Sequence, residues 1–245
     1  MKRFLPNLLT LSSAVAGMAS ILVLMGHWGT SSFEQKFQWV FWLVTAAVFF
    51  DTIDGSVARL LRVQSSMGAQ LDNLCDATTF GLAVGVAIIV FLERVLSPEW
   101  GSISYILGVI WLLAVIVRLA RFQVDQEDSD PAQAHMYFRG LCSPMAALFA
   151  VSLMQLALRF PAIQTIAPVI LLAAAGLMIS NFPFADLPKH YLGRRRPVWE
   201  VGPFVIAAPF ISISGSVALF ITYFILLSLG SPTKGRVVLP KRPSS

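Results

Sequence analysis

Charge is scarce in this chain. Asp, Glu, Lys and Arg together make up 13% of its 245 residues, against roughly a quarter in a soluble domain. Hydrophobic residues reach 56%, and the mean hydropathy is +0.73. No polar block is long enough to fold as a separate water-soluble unit, which excludes the layout of a soluble enzyme. Cysteine is nearly absent too. Cys75 and Cys142 are too few for a disulfide framework and are expected as small buried residues. His27, His135 and His190 are the three histidines, and they lack ligand spacing, so a zinc site is not expected. Internal repeats and low-complexity tracts are missing. The net charge is +5, but the positive residues lie in short clusters beside apolar runs. Membrane lipids, and no nucleic acid, are therefore the expected partners.

What the chain has is long apolar runs. A membrane span needs roughly 20 such residues, and the stretches 8–26, 37–57, 68–92, 102–122, 143–159 and 162–180 qualify. The stretch 199–229 is long for one helix and short for two, and "SISGS" at 212–216 offers a turn. Counting Lys and Arg arbitrates. With the N-terminus inside and the last stretch folded as a hairpin, fifteen of the eighteen positive residues face the cytoplasm; with a single last helix only eleven do. The positive-inside bias favours the hairpin. The expectation is an all-α polytopic membrane bundle of about eight spans, forming one integral-membrane domain over 1–245. Its core covers about 5–184, its C-terminal hairpin about 199–229 and its cytoplasmic tail 230–245. The start, "MKRFLPNLLTLSSAVAGMASILVLM", resembles a secretory signal, but its apolar run is longer than usual and Asn7 and Thr10 interrupt it early. It reads as a retained first span. "DQEDSDPAQAH" at 125–135 reads as an acidic cytoplasmic loop, and "GRRRP" at 193–197 as a topology determinant that can also meet headgroups.

The scarce acids are not scattered. Asp51 and Asp54 close the second apolar run, and Gly68, Asp72 and Asp76 open the third. Spacings of three and four residues put each set on one helical face. The connection between the runs is short, so both faces meet at one membrane surface. A carboxylate at the bilayer centre costs about 2.5–3.5 kcal/mol, and less near the interface. Ordinary interfacial charges are thus affordable one by one. Four together are different, because like charges in one pocket do not all stay ionised without compensation. Clustered oxygens suit hard divalent cations such as Mg²⁺ or Mn²⁺, which bridge to phosphate. Gly55, Ala58 and Gly68 lie on or beside the acidic faces. They would let a bulky ligand reach the backbone, or let helices pack closely. Arg59 would neutralise a phosphate or pair with an aspartate.

These positions carry a resemblance. Asp51, Asp54, Gly55, Ala58, Arg59, Gly68, Asp72 and Asp76 reproduce, spacing for spacing, the signature of the CDP-alcohol phosphatidyltransferases. The resemblance implies a six-helix membrane core, often homodimeric, with a divalent-metal site (Mg²⁺ or Mn²⁺) open to the cytoplasm. It implies transfer of a phosphatidyl group from a CDP-linked lipid such as CDP-diacylglycerol to an alcohol, releasing CMP. Carried over by position, Asp51, Asp54 and Asp72 would bind the first metal. Asp76 would be the general base and would also touch a second metal. Asp51, Gly55, Ala58, Arg59 and Gly68 would hold the CDP part. Asn7 and Thr10, near the cytoplasmic end of the first run, would reach the nucleotide or phosphates, or else cap and pack a helix.

The signature reads the donor and leaves the acceptor open. The stretches 5–17, 118–122, 138–144, 177–184 and 223–232 resemble the corresponding segments of bacterial and archaeal phosphatidylserine synthases, which implies L-serine. One departure is Cys142, where proline is expected in "GLCSP". The carboxylate of serine calls for a cation, and an arginine fork matches it. Arg118, Arg121 and Arg139 are the candidates, with positive-inside anchoring as their other reading. Glycerol 3-phosphate, inositol phosphate and choline remain alternative acceptors. An ion-coupled transporter is the alternative from another class, but it calls for acids at mid-bilayer and broken or repeated helices.

Overall fold

The computed structural model describes residues 4–27, 32–61, 65–96, 101–127, 137–185 and 221–222. Helix α1 covers Phe4–Leu24 and α2 covers Phe33–Leu61. One continuous rod follows, made of α3 (Ser66–Asp76), a π-helical segment (Ala77–Ala83) and α4 (Val84–Val95). Then come α5 (Gly101–Glu127), α6 (Ser143–Arg159) and α7 (Pro161–Ile179). Two three-residue strands, β1 (Tyr137–Arg139) and β2 (Pro183–Ala185), pair antiparallel with Phe138 opposite Phe184. Otherwise the described architecture is helical, as expected.

Five stretches are long and apolar enough to cross a membrane: Pro6–Leu24, Phe33–Gly55, Ser66–Val95, Gly101–Asp125 and Pro161–Ile179. Ser143–Arg159 is apolar but shorter. Together they coincide, within a few residues, with the six apolar runs read from the sequence. The expected hairpin at 199–229, the tail and the arginines at 194–196 lie outside the described residues, except for Ile221 and Thr222, which are helical.

The ends of these helices follow from local chemistry. Ser65 caps α3, its hydroxyl accepting from the Gly68 N–H at 3.1 Å, which satisfies one of the helix's orphan donors. Gly26, at φ 86°, closes α1 in the left-handed region that favours glycine. Lys36 Nζ donates to the Leu24 carbonyl across that turn at 3.2 Å. Pro161 holds Phe160 extended (φ −124°, ψ 101°), so α6 stops and α7 begins within one residue.

Packing is of the membrane kind. Val15, Trp39, Phe49, Val109 and Val169 point outward, where lipid would meet them. The interior combines a few large rings, such as Phe37, Phe80, Phe91 and Trp111, with small residues such as Ala87, Ala114, Ala146, Ala147 and Ala150. Small side chains let helix backbones approach closely. At the crossing of α4 and α5, a Cβ on Gly85 would lie 2.9 Å from the Gly108 carbonyl oxygen, and one on Gly108 would lie 2.8 Å from that of Gly85. Gly17 serves α1 in the same way, since a Cβ there would come 2.9 Å from Thr79 Cα in the π segment.

Candidate active site

Helices that alternate in direction bring the start of α1, the end of α2, the start of α3, the end of α5, the start of α6 and the end of α7 to one end of the bundle. That end holds the acids. Carboxylate oxygens of Asp51, Asp72 and Asp76 all lie within 4.8 Å of one another. Asp76 is buried, while Asp51 and Asp72 are half-buried. Asp72 Oδ1 and Asp76 Oδ1 are buried without a hydrogen-bond partner. Buried oxygens of this kind are costly unless something pairs with them.

Asp54 is placed differently. It is buried, and its Oδ2 accepts from the Thr10 hydroxyl at 2.5 Å, so this fourth acid is tied to α1 beside the group of three. Its charge still bears on Asp51 and Asp72. Thr10 thus touches an acid of the signature directly. Asn7 lies close by, its Oδ1 3.5 Å from where a Cβ on Gly68 would sit. Gly55 is half-buried in α2, one residue past Asp54. Ala58 and Arg59 are in the last turn of α2, and their side chains lie outside the described set, as does that of Arg139 in β1.

Arg118 and Arg121 part company. Arg118 is only 6% exposed, and its charge acts on Asp51 and Asp76. Its Nη1 donates to Ser143 Oγ at 2.7 Å, while its Nε is buried without a partner. Arg121 donates instead to the carbonyls of Ile179 (2.8 Å) and Ser180 (2.9 Å) and to Asn181 Oδ1 (3.2 Å). It caps the end of α7. By sequence alone the two arginines are equivalent candidates. A spacing of three residues rotates side chains by about 60° on a helix of 3.6 residues per turn, and the neighbours turn that offset into two environments.

Two features were not legible in the sequence. Ser143, inside "GLCSP", is fully buried against Arg118. The π segment begins directly after Asp76; such widenings often mark functional sites, but apolar periodicity does not announce them. It is held by Thr79, whose hydroxyl donates to the Ser13 carbonyl at 3.1 Å, and by Trp111, whose Nε1 donates to the Phe80 carbonyl at 2.9 Å. Cys142 takes φ −64° and ψ 135°, the backbone conformation a proline would impose. The departure at this position therefore leaves the approach to α6 unchanged. Cys75 is buried as expected, whereas Cys142 is half-buried.

Residues 3–182 match the sequence profile of the family described as CDP-alcohol phosphatidyltransferase. The chain is 32% identical over 159 residues to a protein of Mycobacterium tuberculosis named CDP-diacylglycerol–serine O-phosphatidyltransferase, covering 64% of this chain and 51% of the relative. The chain thus spans about half the length of that relative. A Helicobacter pylori protein of the same name is 28% identical over 216 residues, 85% of this chain and 80% of the relative. One from Methanocaldococcus jannaschii is 30% identical over 149 residues, 61% of this chain and 65% of the relative.

Proposed function

Because the chain belongs to the CDP-alcohol phosphatidyltransferase family, we propose that it transfers the phosphatidyl group of CDP-diacylglycerol to the hydroxyl of L-serine, releasing CMP. The observation that carries this reading is the convergence of Asp51, Asp72 and Asp76 within 4.8 Å beside the buried cation of Arg118. The names of the mycobacterial, Helicobacter and archaeal relatives support the choice of serine.

The acid cluster fits a divalent cation. Its donors are hard oxygens, and two of them, Asp72 Oδ1 and Asp76 Oδ1, are buried with no other partner. Asp51, Asp72 and Asp76 would hold Mg²⁺ or Mn²⁺, with Asp54 adding charge beside them. A bound cation supplies charge neutralisation for the pyrophosphate and for the CMP that leaves.

The chain's own residues supply the rest. The serine hydroxyl oxygen attacks the phosphorus of the phosphatidyl group, and the bond from that phosphorus to the CMP oxygen breaks. Asp76 takes the hydroxyl proton, a transfer a positioned carboxylate performs within hydrogen-bond reach. On the family likeness, Gly55, Ala58, Arg59 and Gly68 hold the CDP part, together with Asn7. Thr10 steadies Asp54. Arg118 binds the serine carboxylate. The site faces the cytoplasm, on the charge asymmetry of the loops, and the working unit is a homodimer, on the family likeness. The lipid tails stay in the bilayer while the soluble acceptor arrives from water.

The experiment is CMP release by the purified protein in detergent with CDP-diacylglycerol and Mg²⁺ or Mn²⁺. L-serine, glycerol 3-phosphate, inositol phosphate and choline are supplied in turn. Release with serine alone, lost on chelation and restored by the metal, is the expected result. Release with a different alcohol only would overturn the acceptor, and release that survives chelation would overturn the metal.

A further inference from the structure

Ser143 has no place in the chemistry above, yet it is fully buried and holds one edge of Arg118. The guanidinium is planar. Its Nη1 donates to Ser143 Oγ at 2.7 Å, and its Cζ lies 5.5 Å from the centre of the Phe122 ring. With Nη1 engaged, the side formed by Nε and Nη2 remains to grip both oxygens of a carboxylate at once. Nε on that side is buried and unpartnered.

Ser143 is itself held from behind. It follows a segment pinned to the end of α7. The Leu141 N–H donates to the Leu177 carbonyl at 3.1 Å, and the Gly140 N–H to the Phe182 carbonyl at 2.8 Å. Gly140 has φ 75°. A Cβ there would overlap the Met178 carbonyl oxygen and lie 3.0 Å from that of Ser180. Arg121 closes the same end through Ile179, Ser180 and Asn181. The end of α7 thus fixes 140–141, two residues later Ser143 opens α6, and Ser143 fixes Arg118.

We propose that Ser143 is a positioning residue for acceptor recognition: clamped through Gly140, Leu141 and Arg121 to the end of α7, it turns the Nε edge of Arg118 toward the carboxylate of the acceptor. This rests on the reading that the acceptor is L-serine. A long arginine stem has many rotamers, and ordering it in advance lowers the cost of binding. The effect falls on the acceptor and spares the donor.

The test compares Ser143→Ala and Ser143→Thr in the full chain, with L-serine and with ethanolamine, which lacks the carboxylate. Ser143→Ala is expected to raise the serine KM about tenfold, the scale of one hydrogen bond to a charged group. The CDP-diacylglycerol KM should stay within about twofold, since a residue acting on one substrate leaves the other's binding alone. The preference for serine over ethanolamine should shrink with it, and Ser143→Thr, which keeps the hydroxyl, should restore it. An unchanged serine KM, or an equal loss for serine and ethanolamine, overturns the proposal. Should Ser143→Ala not purify folded, Arg121→Lys carries the same measurement with the same two outcomes. Failure of the serine reading looks different, because wild type itself then releases no CMP with serine. The variants are then run with the alcohol that does react. A raised KM for an anionic alcohol upholds the role of Ser143; an unchanged one, or a working alcohol without an anionic group, overturns it.

Discussion

Thr10 Oγ1 lies 2.5 Å from Asp54 Oδ2 and joins the first helix to the second across 44 positions of sequence. Both residues are buried. The contact makes the position of a signature acid depend on α1, a helix outside the signature. A hydrogen bond to a charged group is worth about 1.5–3 kcal/mol. Thr10→Val removes the donor at almost constant volume. It is expected to lower CMP release at least tenfold and to reduce the melting temperature in detergent, while Thr10→Ser preserves both. Thermal unfolding and initial rates on the three proteins check this; equal behaviour of the Val and Ser variants would show that the hydroxyl is idle.

Asp76 is the buried member of the acid cluster and has an oxygen without a partner. Asp76→Asn keeps the shape and removes the proton acceptor. General-base catalysis contributes about 10²–10⁴-fold, so the variant is expected to lose at least a hundredfold in turnover. CDP-diacylglycerol should still bind, measured by displacement of a labelled CDP-lipid. Near-normal turnover would remove Asp76 from the role of base. Mn²⁺ binding, followed by loss of the free-ion electron paramagnetic resonance signal, should weaken in Asp51→Asn and Asp72→Asn as well.

Gly108 and Gly85 set the closeness of α5 to α4. A Cβ on Gly108 would lie 2.5 Å from Ile89 Cγ1 and 2.8 Å from the Gly85 carbonyl oxygen, whereas nothing lies within 4 Å of one on Gly101 at the start of the same helix. Gly108→Ala is expected to cost about 1–3 kcal/mol, the usual penalty of overpacking. Gly101→Ala should be neutral or slightly stabilising, because alanine orders a helix more readily than glycine. Melting temperatures in one detergent compare them directly. A Gly108→Ala protein as stable as wild type would mean that the crossing can open without penalty.

Much of this was legible beforehand. The six apolar runs coincide with the described helical stretches, and Asp72 and Asp76, four residues apart, both enter the cluster. Positions four apart diverge by only about 40° around a helix, while positions three apart diverge by about 60°. Asp51 and Asp54 show the difference: one joins the cluster, the other turns to Thr10. Arg118 and Arg121 repeat it on α5, one beside the acids and one on the end of α7. Ser143 and Trp111 were illegible because their partners, Arg118 and the Phe80 carbonyl, lie 25 and 31 positions away.

The sequence by itself determined that six apolar runs form helices long or apolar enough for a membrane bundle and that the acids gather at one end of it. Apolar length and residue spacing are local properties, and local properties survive without knowledge of neighbours. Only the tertiary structure decided which three carboxylates meet, which arginine stands beside them and what holds it there. Those outcomes depend on how far each helix is rotated about its axis and how closely it approaches the next. Contacts such as Gly85 with Gly108 and Gly17 with Thr79 set both.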